Sequence, residues 1–83
     1  MKDVNFDLVS TMVKNECERQ EKLWGKQTHS PYVWLGILLE EVGEVAAAIN
    51  DNDFEQAGTE LIQCAAVIMT WLMSELEETN HES

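Results

Sequence analysis

Apolar residues recur along this chain at three- and four-residue steps, the period of a helix, and no stretch alternates as a strand would. The first segment runs from about Val4 to Trp24, with Phe6, Val9, Val13, Cys17 and Trp24 on one stripe. Gln20 falls on that same stripe. An inward Gln is usually a satisfied core group, and its other reading is a substrate contact. Gly25 stands where a helix ends, and a polar loop from Lys26 to His29 follows. Ser30-Pro31 pairs an N-cap residue with a proline at the first helical position, so a second helix is expected over Pro31–Ile49. Asn50-Asp51-Asn52 reads as a tight turn. Asp53 and Gln56 have capping-box spacing for a third helix over Phe54–Glu77, with a polar, fraying end from Thr79 to Ser83.

The second and third helices are apolar almost all round, and one amphipathic helix cannot cover both. The expected architecture is therefore all-α: a single domain over residues 1–83, a three-helix subunit whose helices two and three pair with those of a second chain in a four-helix core. A homodimer or homotetramer follows. An 83-residue chain also has a high surface-to-volume ratio, which a partner subunit relieves.

Polar residues inside the apolar helices carry the chemistry. Glu40, Glu41 and Glu44 interrupt the run from Tyr32 to Ile49, and at three- and four-residue spacing their side chains converge on one surface. On the third helix Glu60 and Gln63 stand three apart between Ala57 and Met73. A short turn makes the two helices antiparallel, so Glu41, Glu44, Glu60 and Gln63 can face one another across the seam. Crowded carboxylates in apolar surroundings call for a compensating cation. Three carboxylates and an amide carbonyl, with water and phosphate oxygens, suit Mg²⁺ or Mn²⁺.

Charge narrows the partners. The formal net charge is -11, and all five Lys and Arg lie within residues 1–26. That distribution argues against nucleic acid and against an anionic membrane surface. Cys17 and Cys64 lack CxxC spacing and read as buried reduced thiols. The chain has no secretory leader pattern, and its longest apolar stretch, Cys64 to Met73, is short for a bilayer; a cytoplasmic location is expected.

The succession of Glu40-Glu41-Val42-Gly43-Glu44 on one helix and Glu60 to Gln63 on the next resembles the EExxE and ExxD motifs of the MazG-like all-α nucleoside triphosphate pyrophosphohydrolases. The resemblance takes in most of the chain, including Arg19-Gln20 and Lys22-Leu23-Trp24-Gly25. It implies oligomeric helical subunits and Mg²⁺-dependent cleavage of a nucleotide between its α and β phosphates. By position, Glu41, Glu44 and Glu60 then look like metal ligands and Glu40 like a further metal or water-orienting carboxylate. Gln63 departs from the motif, standing where an Asp is usual. It removes one charge, which weakens metal attraction and leaves a non-catalytic nucleotide-binding or protein-binding dimer as the alternative.

The triphosphate needs cations, and helix one and its loop hold the only ones. Lys26 and His29 rank first as substrate contacts, because loops beside a rigid site carry such roles. Trp34, seven residues before Glu41, shares its helical face and is a candidate for stacking on a base, though a core role is the commoner one for such a Trp. Trp71 is weighed in the same way. Phe54, Met69 and Met73 read as core. His29 and His81 are the only histidines, too few for a Ser-His-Asp or Cys-His arrangement to be argued.

Overall fold

The computed structural model describes residues 4–82, with side chains through Glu78, and consists of three helices: α1 (Phe6–Trp24), α2 (Pro31–Asn50) and α3 (Phe54–Glu82). The described residues contain no strand. α1 starts two residues later than expected, because Asn5 is the N-cap and its side chain accepts from the Leu8 N–H at 2.9 Å. α3 outruns its expected end at Glu77 and continues to Glu82, so the polar residues after Glu78 lengthen the helix. Ser83 lies outside the described residues.

Each junction has a local cause. Gly25 closes α1 at φ 73, ψ -171, and its N–H donates to the Glu21 carbonyl at 2.7 Å. That backbone region is open essentially to glycine alone. Ser30 Oγ accepts from the Val33 N–H at 3.4 Å with Pro31 at the first position of α2. At the far end Asp53 N–H donates to the Ala48 carbonyl and Asn52 N–H to that of Ile49, both at 2.9 Å, with Asn52 at φ 58. These bonds form a Schellman motif with asparagine at its left-handed position. Asp53 caps α3 at once, accepting from the Gln56 N–H at 3.0 Å. The reciprocal half of the expected capping box does not form, because the Gln56 side chain reaches forward to Glu60 instead, at 2.7 Å.

α1 and α2 both lean on α3 and not on each other. α3 buries Ala57, Glu60, Cys64 and Val67 along one stripe at alternating three- and four-residue steps, with Ala66 beside them. α2 answers with Trp34 and Ala48 fully covered and Ile37, Leu38, Glu41 and Val45 half-buried between them. Trp34 stacks nearly parallel on Trp71, ring centres 6.3 Å apart, and His29 meets it edge-on at 4.9 Å.

A second apolar stripe on each helix stays open. Leu35, Leu39, Val42 and Ile49 on α2 and Leu61, Ile68, Leu72 and Leu76 on α3 are all exposed in the single chain. Residues expected in the core join them: Phe6 is 83% and Phe54 67% exposed, and Val9, Trp24, Met69 and Met73 are uncovered as well. The periodicity marks apolar faces on each helix, and three helices have too few layers to cover them all. Its accessible surface is 6434 Å², against about 5,000 Å² for a compact monomer of this mass. The radius of gyration is 14.3 Å, against about 12 Å for a compact chain of this length.

α3 also corrects the reading of membrane-crossing capacity. Over Phe54–Glu78, 25 residues, it is long and apolar enough to cross a bilayer by length and composition, its most apolar 18-residue window having a mean hydropathy of 1.2. The shorter run from Cys64 to Met73 had understated it.

Candidate metal centre

The seam between α2 and α3 brings three carboxylates together. Glu41 and Glu44 stand one turn apart on α2, and the antiparallel α3 sets Glu60 opposite them. Each of the three offers an oxygen within 4.8 Å of the other two. Glu60 is 8% exposed, Glu41 half-buried and Glu44 open to solvent, so the group grades from core to surface. Glu40 is exposed and lies outside this trio, although its charge acts on both Glu41 and Glu44.

Crowding raises the proton affinity of the site. Glu41 is pushed up to about 7, chiefly by burial and then by the charge of Glu44, with Glu60 and Glu40 adding to it. Glu44 is also raised, first by hydrogen bonding to Glu60 and then by the repulsion of that same carboxylate. Cys64, buried on α3 beside them, has its thiol raised by burial and by Glu41, Glu60 and Glu44 in turn, which holds it protonated.

Two glutamines complete the polar seam. Gln56 Nε2 donates to Glu60 Oε1 at 2.7 Å. Gln63 turns its amide N–H groups toward Glu41 Oε2 at 3.1 Å and Glu60 Oε2 at 2.8 Å, the orientation in which every polar atom has a complementary partner. Gln63 therefore ties α2 to α3 as a donor. The expected carbonyl-to-metal contact requires the amide to turn over.

The remaining candidates divide. A cleft of ≈ 490 Å³ opens where α1 and α2 fail to meet, and Glu41, Gln63, Gln20 and His29 all line it. Gln20 is 8% exposed and its Nε2 donates to Glu16 Oε2 at 2.9 Å, so it is a satisfied buried amide that also borders the cleft. His29 pairs with Gln27 Oε1 at 3.0 Å. Lys26 points elsewhere: it lines a separate cleft between α1 and α3 and binds Glu77 at 2.9 Å. Trp34, 2% exposed, is a core residue closed to any ligand, which corrects its candidacy for base stacking. Trp71 is half-buried and donates to Glu75 at 3.1 Å.

Sequence reasoning missed the ordering of Arg19. Its Nε and Nη2 donate to the two oxygens of Glu16 at 2.8 and 2.7 Å, and Arg19 lines the same cleft as Glu41. The signal was present as Glu16, Arg19 and Gln20 at three- and four-residue spacing. Comparison with protein-family models, with curated proteins and with solved structures finds no match to this chain.

Proposed function

We propose that the chain is a divalent-metal-dependent nucleotide pyrophosphohydrolase, working as a homodimer or a homotetramer in the cytoplasm, without nucleic acid or membrane as partner. The observation that carries this reading is the trio Glu41, Glu44 and Glu60, drawn from two helices onto one point with Glu60 buried. Surface acids do not give up solvent in this way without return. The donor set is all oxygen and three-fold anionic, which fits Mg²⁺ or Mn²⁺ and does not fit a thiophilic ion. Glu41, Glu44 and Glu60 would hold the ion, and the Gln63 carbonyl would join them once the amide turns over. Bound there, the ion supplies charge neutralisation on the phosphates and acidifies a coordinated water.

The reaction is the attack of water on the α-phosphorus: an oxygen–phosphorus bond forms, the bond to the β-phosphate bridging oxygen breaks, and pyrophosphate leaves. Phosphoryl chemistry needs positioning and charge more than covalent help. Glu40, exposed next to Glu41 on α2, would be the carboxylate that accepts the proton of the water. The cleft between α1 and α2 opens onto Glu41 and has room for a nucleotide.

Oligomerisation follows from the second apolar stripe on α2 and α3, whose pairing with a second copy would complete a four-helix core. α3 then serves as a core helix, with one stripe on α1 and α2 and the other on the partner, and Glu60 inside it argues against lipid.

Gln63 favours a second reading, a non-catalytic dimer with a weakened metal site. Its two N–H donors already bridge Glu41 and Glu60, meeting by hydrogen bonding part of the demand that a cation would meet. Thermal unfolding with and without Mn²⁺ tests whether the trio is a metal site at all. Mn²⁺ raises the melting temperature of the native chain by several degrees and leaves that of Glu60→Gln unmoved. An equal rise in both refutes the metal site.

A further inference from the structure

A nucleoside triphosphate brings more negative charge than one divalent ion held by three carboxylates can offset, so the cleft needs a cation of its own. The sequence has no Lys or Arg beyond Lys26. Lys26 is turned into the other cleft by Glu77, and Lys14 and Lys22 line neither of the two clefts. Among the described residues, Arg19 is the one permanently charged cation lining the cleft that Glu41 and Gln63 border.

Its geometry suits the task. The pairing with Glu16 is side-on, through Nε and Nη2, which commits one edge of the guanidinium and leaves the Nη1 edge uncommitted. That free edge presents parallel N–H donors of the kind that clamp phosphate oxygens. Glu16 is itself fixed: its side chain is 12% exposed and accepts a third bond from the buried Gln20 amide. A long, half-exposed side chain is thus pre-oriented by a nearly buried anchor, which lowers the entropy lost when a ligand binds.

We infer that Arg19 is the phosphate-contacting residue of this cleft, and that Glu16, locked by Gln20, is its positioning residue. The inference rests on the reading of the cleft as a nucleotide site, and it names the residue that meets the phosphates and the helix, α1, that delivers it.

Titration of the full chain with inorganic pyrophosphate in Mg²⁺, followed by calorimetry, tests it. Arg19→Ala weakens binding about tenfold or more, while Mn²⁺ affinity stays within about twofold of the native chain. Guanidinium ion, added at a concentration on the order of 10 mM against sodium chloride of equal strength, restores binding to Arg19→Ala. Arg19→Lys, which keeps the charge and loses the fork, falls between the two. Glu16→Gln weakens binding by about threefold in the native background and by nothing further in Arg19→Ala, a coupling that a purely structural role would not produce. If the native chain binds pyrophosphate and Arg19→Ala and Arg19→Lys bind it equally well, the Arg19 assignment is wrong and the nucleotide reading stands. If the native chain neither binds pyrophosphate nor releases it from any nucleoside triphosphate, the nucleotide reading fails and takes this inference with it.

Discussion

Glu41 sets the behaviour of the site at the scale of single residues. Its carboxyl is raised from 4.5 to about 7, so between those values the folded chain keeps a proton that the unfolded chain has released. Stability in chelator must therefore fall as pH rises through that interval, with Glu44 acting in the same direction. Glu16 works oppositely and lower: its bond to Arg19 lowers it, so its contribution is present above 4.5 and lost as the medium becomes more acid. The two effects occupy separate windows. Urea unfolding in chelator from about pH 5 to about pH 8 should show a falling midpoint, and Glu41→Gln should flatten that slope. A native midpoint that rises over the range contradicts the crowding of the carboxylates. The acids themselves were legible from sequence, because Glu40, Glu41, Glu44 and Glu60 interrupt apolar runs and burying them is costly. What periodicity could not give was the grading among them, since the turn of each helix decides that Glu60 sinks while Glu40 stays wet.

Gln63 belongs to the scale of elements, because it joins α2 to α3. Replacing it with Asp removes donors to Glu41 and Glu60 and adds a fourth like charge. The metal-free protein should lose about 1–3 kcal/mol, the cost of leaving buried acceptors unpaired. Divalent affinity should gain about tenfold, or ~1.4 kcal/mol. Paired chemical denaturation and Mn²⁺ calorimetry measure both; unchanged values in each would put Gln63 outside the site. The helices themselves were readable because the stops are chemical: Gly25, Ser30-Pro31 and Asp53 mark ends that the backbone bonds reproduce. Two departures have the same origin. Gln56 could reach back three residues to the Asp53 N–H or forward four to the Glu60 carboxylate and took Glu60, and Trp34 shared the helical angle of Glu41 yet lies two turns nearer the start of α2, under Trp71. Angle on a helix fixes direction, not depth.

The open stripes of α2 and α3 matter at the scale of the whole molecule. Leu61, Ile68, Leu72 and Leu76 follow one face of α3 at four- and seven-residue steps, and all are exposed in the single chain. Exposure on this scale is typical of a surface that a partner covers. Leu72→Glu should therefore convert the assembly to a monomer at concentrations where the native chain is associated, a loss of about 2 kcal/mol or more in association. Light scattering after size exclusion reads the outcome, and a native chain that is already monomeric overturns the four-helix core. Two apolar helices carry more greasy surface than one chain can hide, which is why Phe54, Met69 and Met73 read as core from the sequence yet lie exposed in the single chain.

If Glu41, Glu44 and Glu60 hold a divalent ion for nucleotide cleavage, release of pyrophosphate from a panel of nucleoside triphosphates reports it. With Mg²⁺ or Mn²⁺ present, the native chain should convert at least one of them to its monophosphate and pyrophosphate in equal amounts. Chelator should abolish the reaction, and Glu41→Gln and Glu60→Gln should each reduce it by about a hundredfold or more while still folding. Metal-independent release, release as orthophosphate, or full activity in both variants would contradict the account.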